Sequence, residues 1–393
     1  MEKIAGRSFS PKKFKAFQKS DFVTTGSIDI PFFVLVMTLL AIGLVMLLSA
    51  SYPDAYYNEG QDSFYFFRNQ CIFAAVGVAA MLIFSRLNYK WLQVFAVPIA
   101  LVSLLLLVIV LFYHTDFQDF KRWIPIGPFT LQPSDIAKFA LVVIMSAYIS
   151  KYCLKMKKVV YGIVIPLAMI AVFCVLIALE NHMSCTILMF CIGAALMWVG
   201  GTPAWLFIVG LGAVAAAVVV CVTNPQILPD YVQPRILAWV DKTYEPTDGR
   251  WQINNSLYAI GSGGFFGEGL GNSKQKYLYV SEPQNDFIFS IVCEELGFIG
   301  AAVIIVLFAL LIWRGMIIAV NCEDRFGALL VIGIVAQVGI QVVYNILGVT
   351  DTIPNTGIAL PFFSYGGTAM MMLLGEMGVV LSVSRRTKVK KLN

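Results

Sequence analysis

Residues 281–313 read SEPQNDFIFSIVCEELGFIGAAVIIVLFALLIW, and this stretch indicates the fold class. A transmembrane helix needs about 20 predominantly apolar residues, and residues 286–313 are long and apolar enough to form one. The stretch nevertheless begins with Asp286 and carries Glu294 and Glu295 further along. Because carboxylates in or beside hydrocarbon are costly, each of the three acids needs a partner or a function.

The composition extends this interpretation to the whole chain. Of its 393 residues, 59% are hydrophobic and 13% are charged, whereas soluble proteins average about 45–50% apolar and about 25% charged residues. The sequence therefore predicts an all-α polytopic membrane protein. Ten segments are candidate transmembrane helices: residues 30–50, 69–87, 91–113, 134–150, 159–179, 183–200, 203–223, 286–313, 326–349 and 357–384.

The basic residues predict the orientation, since an even number of helices places both termini on one side. With the termini in the cytoplasm, the inner segments hold nineteen of the 28 Lys and Arg residues, and the short outer loops hold three, Arg68, Lys121 and Arg122. Cytoplasmic loops carry an excess of these residues. We therefore expect cytoplasmic tails at 1–27 and 385–393, a membrane domain at 28–384, no cleaved signal peptide and no nucleic-acid partner.

One loop is much longer than the others. Residues 224–285 join the seventh and eighth candidate helices on the outer side and are rich in Pro, Asn, Gly and aromatic residues. Loops of this length without secondary structure of their own are usually functional or disordered. Apolar stretches at 236–240 and 277–280 argue against disorder. We expect short amphipathic helices that lie on the membrane or cap the bundle.

Polar motifs stand at the start of the fourth, eighth and tenth candidate helices, which all run from outside to inside. Because these helices start on the same side of the membrane, their motifs should lie together at one face and locate a candidate site. The motifs are KRWIPIG at 121–127 and QPSDIAK at 132–138 for the fourth helix, Asn285 and Asp286 for the eighth, and NTG at 355–357 and PFFSYGGT at 361–368 for the tenth.

Simpler interpretations of these charged residues stay open. Asp135 and Lys138 have the i, i+3 spacing of an ion pair on one helix, and Asp135 and Asp286 are favourable anions at helix N-termini. Lys138 is harder to explain in this way, because a lysine one turn inside an apolar helix usually has a partner and marks a site or a pathway. For Glu294 and Glu295 we expect a structural role facing the bundle interior.

Taken together, the motifs resemble those of the SEDS family (shape, elongation, division and sporulation), whose members include FtsW, RodA and SpoVE. The similarity extends from about residue 28 to residue 384. It rests on KRWIPIGPFTLQPSDIAK at 121–138, on residues 252–300 and on NTGIALPFFSYGGTAMM at 355–371. The form GNSKQKYLYVSEPQNDFIF is more similar to the division and sporulation branch than to the elongation branch.

The resemblance implies ten transmembrane helices and a peptidoglycan glycosyltransferase in the bacterial cytoplasmic membrane, with the division septum as an expected place. The implied substrate is lipid II, an undecaprenyl-diphosphate-linked disaccharide pentapeptide. The implied partners are a class B penicillin-binding protein and membrane lipid. Asp286 corresponds to the catalytic Asp of the family. The substrate-binding residues that we carry over or infer are Lys138, Asp135, Arg122, Gln132, Ser134, Asn355, Ser364, Gly366 and Gly367.

Two positions depart from the family pattern. Asp135 replaces the Glu of QPSELAK and Ile136 replaces its Leu, so the carboxylate is kept on a shorter side chain. Where many members read PDLGT, this chain reads ENHMS at 180–184. This chain therefore lacks the Asp to which the family pattern would assign a role.

The residues fit this chemistry without the resemblance. In an inverting polymerisation, a sugar hydroxyl attacks a sugar carbon that carries a diphosphate leaving group. Glycoside hydrolases need a second carboxyl group to protonate a poor leaving group, but diphosphate leaves without that acid. One general base then suffices, with protein cations or a divalent cation such as Mg²⁺ or Mn²⁺ to receive the developing charge. Asp286 is the candidate base, and Lys138 and Arg122 are the candidate cations.

We also expect Lys138 to lie close to Asp286, because both are near the outer ends of helices that run in the same direction. A neighbouring cation would lower the pKa of Asp286 and keep it ionised. In the alternative arrangement, Lys138 pairs with Asp135 alone.

Two other functions compete with the enzyme. A flippase for the same lipid would need polar groups through the whole depth of the membrane, but the inner halves of the candidate helices are overwhelmingly apolar. A non-catalytic scaffold for division proteins would leave Asp286 and Lys138 unexplained. The sequence therefore favours the enzyme.

Overall fold

The computed structural model describes residues 26–112, 122–126, 129–229, 232–242 and 250–386, so most of each predicted tail and Lys121 lie outside the described residues. Within these ranges nine helices are long and apolar enough to span a membrane, and the shorter apolar helix Ala96–Phe112 matches the remaining predicted segment. The predicted polytopic helical fold is confirmed. The helices are α1 (Ile30–Asn58), α2 (Tyr65–Arg86), α3 (Lys90–Val94), α4 (Ala96–Phe112), α5 (Pro133–Lys151), α6 (Ile165–Leu179), α7 (Met183–Gly200), α8 (Ala204–Thr223), α9 (Gln233–Val240), α10 (Trp251–Ser262), α11 (Ile288–Asn321), α12 (Arg325–Val349) and α13 (Gly367–Ser384).

A short β-hairpin precedes α5, which the sequence did not predict. Its strands β1 (Ile124–Ile126) and β2 (Phe129–Leu131) pair in antiparallel register, with Ile124 opposite Leu131. The hairpin lies at the end of the bundle where α5, α11 and α13 begin, which we call the site face. The other end, where α1 begins and α13 ends, is the tail face.

Prolines account for two interruptions in the predicted helices. Pro98 lacks the N–H that would bond back to the carbonyl of Val94, and the chain breaks there into α3 and α4. Pro166 likewise leaves the carbonyl of Gly162 without its helical donor, and a turn of π-helix at Val160–Val164 precedes α6. The hydroxyl of Thr202 donates to that carbonyl at 3.0 Å.

At the tail face, Asp29 ties the first helix to α11 and α13. Its side chain caps α1 by accepting from the N–H of Phe32 at 3.0 Å, which satisfies one of the free donors of the first turn. Its carboxylate also receives two N–H groups of Arg314 in α11, at 2.8 and 2.9 Å. Its own N–H donates to the hydroxyl of Ser384 at the end of α13.

The predicted helix at 286–313 is interrupted and longer than expected, since α11 continues to Asn321. Gly297 has φ 65° and ψ −170°, which divides α11 into two helices. Residues of the glycine-rich segment, residues 261–276, fill this break. The N–H groups of Glu268 and Gly269 donate to the carbonyls of Glu294 and Glu295 at 2.9 and 3.0 Å. A side chain at Gly297 would collide with the backbone of this segment.

The predicted helix at 357–384 is shorter than expected, because α13 begins at Gly367 and residues 357–366 are not helical. Gly357 has φ 62°, outside the helical region, and Pro361 also disfavours a continuous helix. Once formed, α13 packs closely along α2. A Cβ at Gly77 would lie 2.6 Å from Leu374, so the two helices approach at a residue without a side chain.

The helices differ in how deeply they are buried. In α12 and α13, 78% of the residues in the most apolar 18-residue stretch are buried, whereas none of the residues in the corresponding stretch of α8 is buried. The polar loop helices α9 and α10 lie within residues 224–285, where the sequence predicted short helices. The buried core therefore lies directly beneath the segments that carry the polar motifs.

Candidate active site

Asp286 lies at the site face, in the non-helical turn before α11. Its side chain is half-buried. The carbonyl of Asp286 accepts from the side-chain amide of Asn345 in α12 at 2.7 Å, and the same amide donates to the carbonyl of Ile358 at 2.9 Å. Asn345 thus holds the backbone of Asp286 next to the segment that precedes α13.

That segment, residues 354–366, forms the second wall of the site. Ser364 Oγ donates to the carbonyl of Asn285 at 2.7 Å and accepts from the N–H of Leu360 at 2.8 Å. The N–H of Tyr365 donates to the carbonyl of Gln284 at 2.8 Å. A Cβ placed on Gly357 would lie 3.2 Å from Asp286 Oδ2. The motifs of the eighth and tenth predicted helices therefore meet at one face, as the topology indicated.

Two arginines place positive charge within electrostatic range of Asp286. Arg122, just before β1, donates to the carbonyl of Asn181 between α6 and α7. Arg235 lies on α9 in the long loop. Both lie within electrostatic range of Asp286 and of His182. Arg122 was predicted, whereas Arg235 was missed because a single arginine in a polar loop has no distinctive sequence signal.

The pKa of Asp286 is raised to about 6, chiefly because burial disfavours the charged form. Glu282 raises it further, and Arg235 and Arg122 oppose the rise. The predicted lowering of this pKa is wrong, because desolvation outweighs the neighbouring cations. A carboxylate with this pKa is ionised at neutral pH and is a stronger base than an ordinary Asp.

Lys138 has a different partner from the one predicted. Its Nζ lies 2.8 Å from Asp135 Oδ1 on the same helix, and both side chains are buried. In the part of the chain that the structure describes, the charges that act on Asp286 are Glu282, Arg235 and Arg122. The predicted direct pairing of Lys138 with Asp286 is therefore not found, and the alternative pairing with Asp135 is.

A deeper polar group lies beneath the Asp135–Lys138 pair. Glu376 of α13 accepts from the side-chain amide of Gln337 in α12 at 2.9 Å, and both are buried. Lys138 lies within electrostatic range of Glu376. The sequence carried a signal for this group, since Glu376 is a charged residue inside an apolar helix, but it was overlooked.

Glu180 and His182 lie between α6 and α7, where the family pattern is lost. Burial raises the pKa of Glu180 to about 8, against an opposing effect of Arg122. Burial and the three cations Arg122, Lys138 and Arg235 lower the pKa of His182 to about 3. Both side chains are therefore largely neutral at pH 7, and they do not cancel the positive charge beside Asp286.

The remaining predicted residues have mostly backbone or packing contacts. Gln132 is the residue before α5, and its carbonyl accepts from the N–H of Asp135. Ser134 is buried. Asn355 accepts from the N–H of Gly357 at 3.2 Å. The N–H of Gly366 donates to Gln70 of α2 at 3.2 Å, and Gly367 packs against Phe73. Their contact with substrate stays a prediction.

Glu294 and Glu295 have the structural role that the sequence predicted. Glu294 accepts from the hydroxyl of Ser273 and from the N–H of Lys274 at 2.9 Å. Glu295 pairs with Lys276 at 2.8 Å and accepts from the hydroxyl of Ser49 at 2.7 Å. The two side chains fasten the glycine-rich segment to the break in α11.

A cavity of about 460 Å³ opens on the site face, and Asn285 lines it whereas Asp286 does not. Its lining includes Glu282, Asn285, Asp54 and Tyr365. Its acidic wall is unsuited to a diphosphate but offers acceptors to hydroxyl and amide groups. Within the described ranges no three His, Cys, Asp or Glu residues are grouped to hold a metal ion.

The fold and this site define a class: polytopic membrane proteins whose polar site is assembled at one face from helix-initial segments. The chain belongs to the FtsW/RodA/SpoVE family, because the model of that family, described as "Cell cycle protein", matches residues 30–389.

Relatives of similar length support the family assignment. The chain is 37% identical over 366 residues to "Probable peptidoglycan glycosyltransferase FtsW" of Trichlorobacter lovleyi, covering 93% of this chain and 95% of that protein. It is 35% identical over 363 residues to "Stage V sporulation protein E" of Bacillus subtilis, covering 92% of this chain and 98% of that protein.

Solved structures support the fold. A chain from "Structural coordination of polymerization and crosslinking by a peptidoglycan synthase complex" superposes with a TM-score of 0.75 at 24% identity, covering 91% of this chain and 98% of that one. The rod shape determining protein RodA of Thermus thermophilus superposes with a TM-score of 0.68 at 25% identity, covering 92% and 98%.

Proposed function

We propose that this chain is a peptidoglycan glycosyltransferase that polymerises lipid II into glycan strands, with Asp286 as the general base. The observation that carries the proposal is the position of Asp286. It is half-buried, its pKa is raised to about 6, and Arg122 lies within electrostatic range of it. The names of the relatives point to the same reaction.

The reaction needs one proton transfer and one place for negative charge. The acceptor hydroxyl gives its proton to the Asp286 carboxylate while its oxygen forms a bond to the anomeric carbon of the donor. The bond from that carbon to the diphosphate breaks, and the electron pair leaves with the diphosphate. Arg122 is placed to receive this charge, and preorganised cations of this kind often make the largest catalytic contribution.

The raised pKa suits this role. A general base works best when its pKa lies near the operating pH, because it is then both deprotonated and reasonably basic. An Asp at its ordinary pKa of about 3.9 would be ionised but weakly basic. Burial of Asp286 therefore improves the base without the loss of its charge at neutral pH.

Lys138 would act on the substrate from within the helix rather than beside Asp286. Its pairing with Asp135 holds the ammonium group within electrostatic range of His182, which Arg122 also reaches. A bound diphosphate would have to compete with Asp135 for this cation. We propose that Lys138 contributes to the positive potential that attracts the anion, with Arg122 making the closer contact.

The flippase alternative is less well supported. A flippase requires a polar path across the membrane, but Gln337 and Glu376, which lie deeper than Lys138, are buried and bonded to each other. Such a buried pair stabilises helix packing in the bundle interior and is not exposed to a passing headgroup. The relatives named for their activity are glycosyltransferases.

We further propose that the enzyme works in the cytoplasmic membrane with a class B penicillin-binding protein that cross-links its product, in cell division or sporulation. The structural neighbour that belongs to a peptidoglycan synthase complex supports the partnership. The asymmetry of Lys and Arg supports cytoplasmic termini and an extracytoplasmic site face. The division septum stays the expected place.

Polymerisation of purified lipid II by the purified protein tests the function. The wild-type protein, with and without the partner, should convert lipid II into long glycan strands on a gel, and the Asp286→Asn protein should not. Equal activity of the two proteins would reject Asp286 as the base. Export of labelled lipid II from vesicles without polymerisation would favour the flippase.

The topology needs its own experiment. Thr247, the position in the long loop that the sequence suggests for labelling, lies outside the described residues, so the exposed Gln226 in the same loop is a better position. A Gln226→Cys protein, compared with its parent, should react with a membrane-impermeant thiol reagent in intact cells. Labelling only after permeabilisation would place the loop in the cytoplasm and overturn the proposed orientation.

A further inference from the structure

Asp351, in the turn after α12, holds three parts of the long loop together. Its buried carboxylate pairs with Arg250 at 2.8 Å and with Lys242 at 2.5 Å. Its carbonyl accepts from the indole N–H of Trp239 at 3.2 Å. The backbone of Asp351 has φ 55°, a conformation that Asp adopts more readily than most residues.

Further bonds attach the loop at the same point. Arg250 also donates to the carbonyl of Ala238 in α9. Ser256 of α10 donates to the carbonyl of Val349, the last residue of α12, at 2.9 Å. The end of α12 and the turn at Asp351 thus anchor helices α9 and α10. The segment that follows this turn contains Gly357, which lies next to Asp286 Oδ2.

Arg235 is carried by the anchored helix α9. Its side chain is half-buried, and its guanidinium makes no hydrogen bond or ion pair with any residue that the structure describes. Arg235 lies within electrostatic range of both Asp286 and His182, so its charge acts at the site.

We propose that Arg235 binds the diphosphate of the donor lipid beside Asp286, and that Asp351 is the positioning residue that holds α9, and with it Arg235, at the site. The proposal rests on the proposed function. A guanidinium suits this task because its planar set of N–H donors matches two phosphate oxygens at once and keeps its charge at every physiological pH.

Arg235 and Arg122 would face the leaving group from different elements, α9 in the long loop and the segment before β1. When the bond to the diphosphate breaks, both guanidinium groups receive the charge of the leaving electron pair, while the acceptor proton moves to Asp286. Arg235 has no partner among the described residues. The bound diphosphate would be its counter-charge and would bring Arg235 and Arg122 together around one anion.

The first test removes the charge of Arg235. Arg235→Gln should lower kcat/KM for lipid II by about 10- to 100-fold, the range for loss of a charge-assisted hydrogen bond. It should also weaken competitive inhibition by inorganic diphosphate. Because a cation beside Asp286 is lost, the acid limb of the pH profile of kcat/KM should move to higher pH. Arg235→Lys should recover part of the rate.

A matched control is available on the same face. Arg68 forms an exposed ion pair with Asp62 and takes no part in the proposed site. Arg68→Gln makes the same chemical change and should leave kcat/KM, inhibition by diphosphate and the pH profile at wild-type values. An Arg235→Gln protein that behaved like this control would overturn the proposal.

The second test asks whether Asp351 acts through Arg235. Asp351→Asn should lower kcat/KM and move the acid limb in the same direction as Arg235→Gln, and the double variant should be no worse than Arg235→Gln alone. Fully additive losses would overturn the positioning role. Since Asp351→Asn leaves the buried Arg250 without its counter-charge, Asp351→Asn/Arg250→Gln, which removes both charges, replaces it if the single variant does not fold.

These results also separate the inference from the proposed function. If the wild-type protein does not polymerise lipid II, the proposed function fails. If the wild-type protein is active, Asp286→Asn is inactive and Arg235→Gln keeps both its wild-type kcat/KM and its inhibition by diphosphate, the function stands and the inference about Arg235 fails.

Discussion

Two groups of carboxylates near the start of α11 have opposite surroundings. Glu294 and Glu295 are almost fully buried and receive hydrogen bonds from Ser273, Ser49 and backbone N–H groups, with Lys276 as a counter-charge. Asp286 is only half-buried, and its side chain has no ion pair among the described residues. All three acids come from one short stretch of sequence.

The difference shows how the protein separates support from chemistry. A carboxylate whose lone pairs are occupied by donors cannot take a proton from a substrate without breaking those bonds. A carboxylate that is desolvated but not directly paired is a better base, because its charged form is less stabilised. Glu294 and Glu295 therefore hold the scaffold, and Asp286 is left for the reaction.

The variant with the largest expected effect neutralises Asp286. Asp286→Asn keeps the size and the hydrogen-bonding shape of the side chain but removes the base, and loss of a general base typically costs about 10²–10⁴-fold in rate. We expect polymerisation of lipid II by the purified protein to fall by this factor. The melting temperature in detergent should not fall, because Asp286 makes no ion pair that the variant would lose.

The corresponding change in the supporting region should affect stability instead. Lys276→Met leaves Glu295 buried without its counter-charge, and removal of one partner from a buried pair costs about 3–5 kcal/mol. We expect a large fall in the free energy of unfolding, measured by thermal or chemical denaturation. The specific activity of the protein that stays folded should be close to that of the wild type.

Arg68→Met is the control for this prediction. Arg68 and Asp62 form an exposed pair on the same face at 3.1 Å, and exposed pairs are usually worth about 0–1 kcal/mol. The double variant Lys276→Met/Glu295→Gln should recover part of the stability lost by Lys276→Met. A small effect of Lys276→Met, equal to that of the control, would contradict the supporting role.

The sequence predicted the part of this arrangement that depends on hydrophobicity and on order along the chain. Residues 357–384 are apolar enough to suggest one helix, and the common direction of three helices correctly brought Asn285 and Ser364 to the same face. Sequence patterns report the period and length of a segment but not its local backbone, so the break at Gly297 and the non-helical residues 357–366 were missed.

The charged partners were harder to predict for a physical reason. Lys138 had two carboxylates at a plausible depth, and the structure pairs it with Asp135, one turn closer to the start of its own helix. The i, i+3 pair needs no long-range packing, whereas a contact with Asp286 depends on the relative positions of two helices. Arg235 and Asp351 come together through loop packing, which no local pattern reports.

A change of pH should alter the activity of the wild type without any substitution. The folded pKa of Asp286 is about 6, above the value of about 3.9 in an unfolded chain. Below pH 6 the base is protonated, so kcat/KM should fall about tenfold for each pH unit and should level off above pH 7. A flat profile between pH 5 and 7 would contradict the raised pKa.

The raised pKa of Asp286 also makes the stability of the protein depend on pH. Because the folded pKa is raised, the proton contributes stability that is fully present below about pH 4 and is lost as the pH rises through 6. Asp286→Asn has no such proton to lose. Its melting temperature should therefore equal or exceed that of the wild type at pH 7, and the difference should shrink when both proteins are melted at pH 4.5.

The smallest expected effect concerns the space around the Asp286 carboxylate. Gly357 has φ 62°, and a Cβ there would lie 3.2 Å from Asp286 Oδ2. Gly357→Ala therefore has two costs: a strained left-handed backbone, about 1–2 kcal/mol, and displacement of the carboxylate by a few tenths of an ångström. We expect a modest loss of stability and a severalfold fall in kcat, since small misplacements of reacting groups reduce rates.

Gly60 separates these two costs, because it has the same φ of 62° but a Cβ added there would have no atom within 4 Å. Gly60→Ala should lose a similar amount of stability and keep its kcat. If Gly357→Ala lost stability but not kcat, the carboxylate would have moved without consequence, and its free position would matter less than its desolvation. If both variants lost kcat equally, backbone strain anywhere on the site face would explain the effect. A fall in kcat confined to Gly357→Ala would show that the reaction depends on the position that the Asp286 carboxylate takes in the space beside the glycine.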